Sequence, residues 1–314
     1  MATILITGGT GMVGSTLAAR LTASGNRVII ITRSVPVNTP DQPFPFEYAL
    51  WNPDEYWIEA SAIHQADYII HLAGAGVADK RWTTQRKQEI LQSRVKGCTT
   101  LVQALEKIPH QVKAVLSASA IGWYGWDTEK SSQSGFTEND PADTAFLGDT
   151  CYQWEKSIEP VKQLNTRLVI FRIGIVLDKA GGALPEFLKP LRFRVAAVLG
   201  SGKQIISWIH IKDLCNLFLF AINNTAVEGV YNAVAPNPLS NRQFNLLLAT
   251  YLYQNKFISL PVPEFVLQIM LGEMSVEVLK STKVSSQKIQ DAGFVFQFPQ
   301  LQDAIQEILP NKTL

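Results

Sequence analysis

The sequence predicts an α/β fold built on a doubly wound parallel sheet. Three observations predict it. Short apolar runs rich in β-branched residues alternate with segments of helical periodicity. The first run, residues 3–7 (TILIT), is followed at once by four glycines in seven positions. After Arg172 the alternation weakens, as expected where a second, smaller lobe begins.

The elements follow in order. TILIT reads as a buried strand because it is short, apolar and stopped by glycine. Met12 to Ser24 reads as a helix with Gly25 as its stop. RVIIIT (27–32), DYIIHLAG (67–74), VKAVLSAS (112–119) and TRLVIFR (166–172) read as further strands. Helices are expected from about Thr84 to Glu106 and from about Asp149 to Leu164. Strands without polar alternation, separated by helices, imply a sheet covered on both faces. Downstream, GKQIISWIHIKDL (202–214) reads as a strand leading into a helix with Asp213 near its start, and EGVYNAVAP (228–236) as a strand. SNRQFNLLLATYL (240–252) opens on a serine cap and runs apolar at helical spacing. PVPEFVLQIMLGE (261–273) reads as a short helix, and 122–148 as a long polar loop.

The chain of 314 residues is long enough for one large domain or two closely joined ones. Its net charge of +1 and its lack of a basic stripe argue against nucleic acid as a partner. The three scattered cysteines form neither a disulfide framework nor a zinc motif, so no metal site is expected. Apolar runs fall short of a membrane span, and the first strand begins by Thr3, leaving no room for a signal peptide. A cytoplasmic protein with a small-molecule substrate and no membrane partner is the expectation.

Gly8, Gly11 and Gly14 form the pattern GxxGxxG between a strand and a helix. Gly8 allows a tight turn, Gly11 lets a pyrophosphate approach the backbone, and Gly14 lets the helix pack on the strand. The helix N-terminus offers N–H groups and a positive dipole end to phosphate. Thr10, Met12 and Val13 complete that loop, and Leu72, Ala73 and Gly74 follow the strand expected beside it. A dinucleotide is therefore the expected cofactor, and the sheet is Rossmann-like. An NAD site carries Asp or Glu at the end of the second strand. Here that end reads Thr32, Arg33, Ser34, and the next acid, Asp41, lies well beyond. Arginine suits a ribose 2′-phosphate, so NADP(H) is expected over NAD(H).

These stretches, with SASAIGWYG (117–125), CYQWEK (151–156), FRIGIVLDKAGGAL (171–184) and SWIHIKDL (207–214), resemble the extended and atypical short-chain dehydrogenase/reductases. More narrowly, the chain resembles the YfcH-like group of epimerase family proteins, some of which are labelled division inhibitors. The resemblance spans essentially the whole chain. It implies an NADP-binding Rossmann-like domain over 1–175, rejoined by 205–235. It also implies a smaller C-terminal α/β substrate lobe over 176–204 and 236–314, with 260–308 a small C-terminal segment.

In the wider superfamily a Tyr and a Lys four apart on a helix move a proton while hydride moves, beside a strand-end Ser. Ser119 ends a strand, and Tyr152 and Lys156 form a literal YxxxK. Cys151 and Glu155 have the same spacing one residue earlier, and the narrower group's C-x-x-W-E pattern aligns them with the Tyr and Lys. One residue turns a side chain by about 100°, so either pair could face the nicotinamide. Arg94 could reach a phosphate or a substrate anion, with Glu89 orienting it or touching a ribose. Trp82 and Trp123 are candidate pocket walls. His210, alone between isoleucines, reads as structural. The expected function is an NADP(H)-dependent oxidoreductase or epimerase acting on a small carbonyl or sugar-like substrate. The alternative is an NADPH-binding regulator with little or no catalysis, and a homodimer would suit either.

Overall fold

The computed structural model describes residues 1–35 and 46–310, so Asp41 and residues 311–314 lie outside the described part. The strands are β1 Thr3–Thr7, β2 Arg27–Thr32, β3 Glu47–Asn52, β4 Trp57–Ile58, β5 Tyr68–His71, β6 Ala114–Ala120 and β7 Arg167–Ile173. They continue with β8 Ile175–Leu177, β9 Val195–Leu199, β10 Ile205–Ile206, β11 Trp208–His210, β12 Gly229–Ala233, β13 Leu239–Ser240 and β14 Ile258–Val262. The helices are α1 Met12–Ala23, α2 Ala60–Gln65, α3 Thr84–Lys107, α4 Glu129–Ser134, α5 Phe146–Ile158 and α6 Leu184–Leu191. They continue with α7 Ile211–Asn223, α8 Asn241–Tyr253, α9 Glu264–Leu271, α10 Ser275–Leu279, α11 Gln287–Asp291 and α12 Leu301–Ile308.

Eight strands form the main sheet in the order β12-β7-β6-β5-β1-β2-β3-β4. Its strands pair in parallel except β4, which runs antiparallel to β3. Strand order reverses at β1, which lies between β2 and β5. In such sheets a crevice opens beyond the carboxyl ends of the strands at that point.

Side-chain alternation explains both covers. Ile4 and Ile6 of β1 face Leu17 and Leu21 of α1 and Leu214 and Phe218 of α7. Leu5 faces the other side, with Leu101 and Leu105 of α3 and Trp154 and Ile158 of α5. Each fully buried aliphatic side chain contributes about 1.5–3 kcal/mol. A third core, including Leu188, Trp208, Phe244, Leu248 and Leu301, knits the smaller lobe. Outside the main sheet the strands form three two-stranded pairings: β10 with β13, β11 with β8, and β14 with β9.

Several elements differ from the sequence expectation. β3 was not expected. Its burial alternates, with only Ala49 and Trp51 buried, so it lacks the apolar run of its neighbours. α5 begins at Phe146 and ends at Ile158, and residues Glu159–Leu164 form a 3₁₀ turn with Pro160 at its start. Proline lacks the N–H that would continue the helix. The polar stretch 122–148 is not one loop, because it contains α4, closed by a Thr128–Ser131 capping box. It is tied to the C-terminal lobe where Asp127 N–H donates to Ser281 O at 2.9 Å and Lys283 N–H donates to Asp127 Oδ1 at 2.8 Å. The 202–214 strand is broken at Ser207 into β10 and β11.

Asp213 lies in the first turn of α7 but does not cap it. Its carboxylate accepts the backbone N–H groups of Gln297 (2.8 Å) and Phe298 (2.9 Å), anchoring the C-terminal segment. His210 is the cap instead, because its Nδ1 accepts Lys212 N–H at 3.0 Å. Ser240 caps α8 in a capping box with Gln243. Among the described residues no helix is long and apolar enough to cross a membrane.

Candidate active site and nucleotide cleft

The glycine loop closes the carboxyl end of β1. Gly8 adopts φ +70°, which L side chains rarely adopt, and a Cβ there would lie 2.8 Å from the Leu72 carbonyl carbon. A Cβ on Gly14 would lie 2.2 Å from Gly8 O, so helix and loop touch only because it is absent. A Cβ on Gly11 would meet only Gly8 O, at 3.4 Å, so the space above Gly11 is open. Gly11, with no side chain to offer, is the N-cap of α1, and its N–H closes the turn onto Gly8 O at 3.1 Å. The first N–H groups of α1 are thus left for an incoming anion. The three glycines fit a pyrophosphate by close approach, turn and packing.

A cleft of about 540 Å³ opens from this loop. Of the residues expected at a dinucleotide, Gly8, Thr10, Gly11, Thr32, Arg33, Leu72, Ala73, Gly74 and Glu89 line it. Gly14 lies beneath the loop and supports it, and Val13 packs against the core. Met12 points toward the glycines after β8, since a Cβ on Gly181 would meet its Sδ at 3.2 Å. Ser34 is exposed, and its carbonyl accepts the Thr32 hydroxyl at 2.9 Å.

Arg94 is not in this cleft. It is buried, its Nη1 donates to Ala75 O at 3.0 Å and Ile90 O at 2.8 Å, and its guanidinium lies over Trp154 at 4.9 Å. It props the turn after β5 from below. Glu89 does not orient it, because Glu89 pairs with Arg86 at 2.7 Å. Five residues on a helix turn a side chain by about 140°, which separates Arg94 from Glu89. The residues that share the cleft with Glu89 are Gln92, Ser93 and Lys96. Their i, i+3, i+4, i+7 spacing was readable in the sequence. Trp51, Pro53 and Asp54 also line the cleft, at the end of the unexpected β3.

Ser119 and α5 meet at the carboxyl end of β6. α5 turns Cys151, Trp154, Glu155 and Ile158 inward, and Tyr152 outward at 45% exposure. Lys156 is also on the outer side, bonded to Glu159 at 2.9 Å. Tyr152 and Lys156 line a separate hollow of about 130 Å³ with Trp123, Lys162 and Val230, not the nucleotide cleft, and an edge of Glu155 reaches the same hollow. The apolar stripe of α5 must meet the sheet, and that rotation carries the YxxxK pair away.

The inward pair is held differently. Ser119 Oγ donates to Glu155 Oε1 at 2.7 Å. Arg172, at the end of β7, grips both Glu155 oxygens, Nε to Oε1 at 2.8 Å and Nη2 to Oε2 at 3.0 Å. Its Nη1 donates to the Tyr124 hydroxyl at 3.0 Å, which in turn donates to Asn232 Oδ1 at 2.7 Å. The Trp123 ring covers the Arg172 guanidinium at 3.6 Å. Burial pushes the Cys151 thiol up to about 12, so it remains a thiol near neutral pH. Trp82 stacks edge-on against Phe146 at 4.9 Å, with Nε1 donating to Val77 O. Sequence reading named Glu155 and Trp123 but missed Arg172, which joins them, and its further partners Tyr124 and Asn232. A lone glutamate in the inward stripe of α5 was the one local sign that a buried cation had to meet it.

Comparison with known proteins agrees with this architecture. The model of the NAD dependent epimerase/dehydratase family matches residues 4–147, and a domain of unknown function matches 262–308. An Epimerase family protein of Staphylococcus aureus is 36% identical over 305 residues, covering 97% of this chain and 98% of its own. The human epimerase family protein SDR39U1 (isoform 2), crystallised with NADPH, aligns at TM-score 0.85 and 29% identity, covering 98% of this chain and 99% of its own. UDP-glucose 4-epimerase of Thermus thermophilus, in complex with NAD, aligns at TM-score 0.76 and 16% identity over 99% and 98% of the two chains, a likeness of fold alone. With the glycine loop, the doubly wound sheet and a near full-length relative in agreement, the chain belongs to the epimerase family of atypical short-chain dehydrogenase/reductases.

Proposed function

We propose that this protein is an NADP(H)-dependent oxidoreductase or epimerase acting on a small carbonyl or sugar-like substrate. The observation that carries it is Arg33 on the cleft at the end of β2, where an NAD site would present a carboxylate. The human relative with NADPH supports the same choice. When bound, the nicotinamide supplies or accepts a hydride. The glycine loop and the N-terminus of α1 bind and orient the pyrophosphate, and Arg33 takes the 2′-phosphate. The Ser119 hydroxyl donates its one proton to Glu155, so toward any further partner it has only acceptor lone pairs to offer.

The α5 register favours a second reading. With Tyr152 outward and Glu155 held by Arg172, the Tyr–Lys proton relay is missing from the cleft. An NADPH-binding regulator, cell-division-related or otherwise, needs no such relay.

The experiment is a fluorescence titration with NADPH and NADH, followed by NADPH oxidation over a panel of aldehydes, ketones and nucleotide sugars. Tighter NADPH binding is expected, and Arg33→Ala should weaken it about ten-fold to a hundred-fold while sparing NADH. Equal affinities, or no loss in Arg33→Ala, overturn the NADP(H) reading. Turnover on the panel supports the enzyme, and tight binding without turnover supports the regulator.

A further inference from the structure

The cleft rim holds a second cation already occupied by an acid. Lys96 stands on α3, a helix of 24 residues packed on the sheet, and its Nζ donates to Asp54 Oδ1 at 2.6 Å. Asp54 follows β3, the strand paired in parallel with β2, and Arg33 directly follows β2. All three side chains line the same cleft. The Lys96 hydrogen bond holds the Asp54 carboxyl below the usual carboxylate range, and the Arg33 charge adds to this from farther off. One carboxylate therefore sits within the field of two cations on the lining of the cleft.

That arrangement suits exchange. Asp54 is 78% exposed, so the ion pair is weak and opens at little cost. A phosphate monoester carries about −1.5 to −2 charges near neutral pH, against −1 for a carboxylate, and has three acceptor oxygens. It would satisfy both cations better than Asp54 does. A ribose 2′-hydroxyl has no charge with which to compete.

We propose that Lys96 is a second clamp for the cofactor's 2′-phosphate, opposite Arg33, and that Asp54 is the resting counter-ion which that phosphate displaces. The inference rests on the NADP(H) reading above. It makes Asp54 and Lys96 specificity-determining residues, with Asp54 acting against binding of the cofactor that Lys96 favours.

The test measures NADPH and NADH dissociation constants for the full chain as wild type, Lys96→Gln, Asp54→Asn and Arg33→Ala. Lys96→Gln should weaken NADPH about ten-fold and leave NADH within about two-fold. Asp54→Asn should tighten NADPH about three-fold and leave NADH unchanged, because the phosphate no longer competes for Lys96. NADH binding serves as the control for an intact cleft in each variant. If Lys96→Gln weakens both cofactors equally or neither, the clamp is overturned. If Asp54→Asn weakens NADH, Asp54 is a ribose ligand and the counter-ion role is overturned. Should Arg33→Ala abolish the preference for NADPH while Lys96→Gln leaves it intact, the clamp fails while the NADP(H) reading stands. A wild type that binds both cofactors alike removes that reading and the clamp with it.

Discussion

Glu155 and Arg172 are buried to 8% and 2% exposure and satisfy each other through two hydrogen bonds. Burial acts most strongly and lowers the arginine pKa, but the hydrogen bonds and electrostatic attraction of Glu155 and Tyr124 together outweigh it and leave the pKa raised. Such a pair is not strongly stabilising against an apolar alternative, but removing one partner strands the other charge. Glu155→Gln should therefore cost about 3–5 kcal/mol in urea unfolding, and the Glu155→Met, Arg172→Met double variant should recover most of it. A loss below about 1 kcal/mol would show that Arg172 finds another counter-charge. Residue identity left this pair half legible. Glu155 stood out as a charge in an apolar stripe, whereas Arg172 ended an apolar strand and gave no sign of its partner 17 residues away.

Helix α5 shows what periodicity can and cannot decide. Cys151, Trp154, Glu155 and Ile158 repeat at i, i+3, i+4 and i+7, and this set packs inward. The YxxxK motif has helical spacing too, so spacing alone could not choose between the pairs. The choice is made by Trp154 and Ile158, which enter the core with Leu101 and Leu105 of α3. Tyr152→Phe should leave NADPH affinity unchanged and shift stability by less than about 0.5 kcal/mol, as for an exposed position. Turnover on any substrate found in the panel should also survive. A drop beyond about ten-fold would return the phenol to the chemistry. On α3 the same logic was available: Glu89, Gln92, Ser93 and Lys96 form one stripe, and Arg94 belongs to the opposite side.

The whole molecule buries two histidines in neutral form. His71 sits at the end of β5 with Nδ1 2.7 Å from the Thr7 hydroxyl, and burial, followed by the Arg94 charge, lowers its pKa to about 3. His210, against Phe298, is lowered to about 4 by burial and then by Lys212. Both are depressed below the unfolded value of 6.5, so the unfolded chain takes up protons first as pH falls. Stability is thus full above about pH 6.5 and declines toward pH 4, by up to about 1.4 kcal/mol per pH unit for each ring. Thermal unfolding between about pH 7.5 and about pH 4.5 should show this decline. His210→Asn, which keeps a capping oxygen for α7, should flatten it. An unchanged slope in that variant would remove His210 as a source.

The order of amino acids alone accounts for the strand, glycine turn and helix that begin the chain, the α/β alternation and the arginine after β2. These are short-range properties, encoded in backbone hydrogen-bond periods of a few residues and in glycine's missing Cβ. Packing in three dimensions settles that Arg94 props a turn, that Glu155 meets Arg172 and that Lys96 meets Asp54. The last pair is separated by 42 residues and joined only because β3 lies beside β2 while α3 packs over the sheet. Pairings of that kind depend on strand order and on which helix face the core selects, and no local pattern carries either.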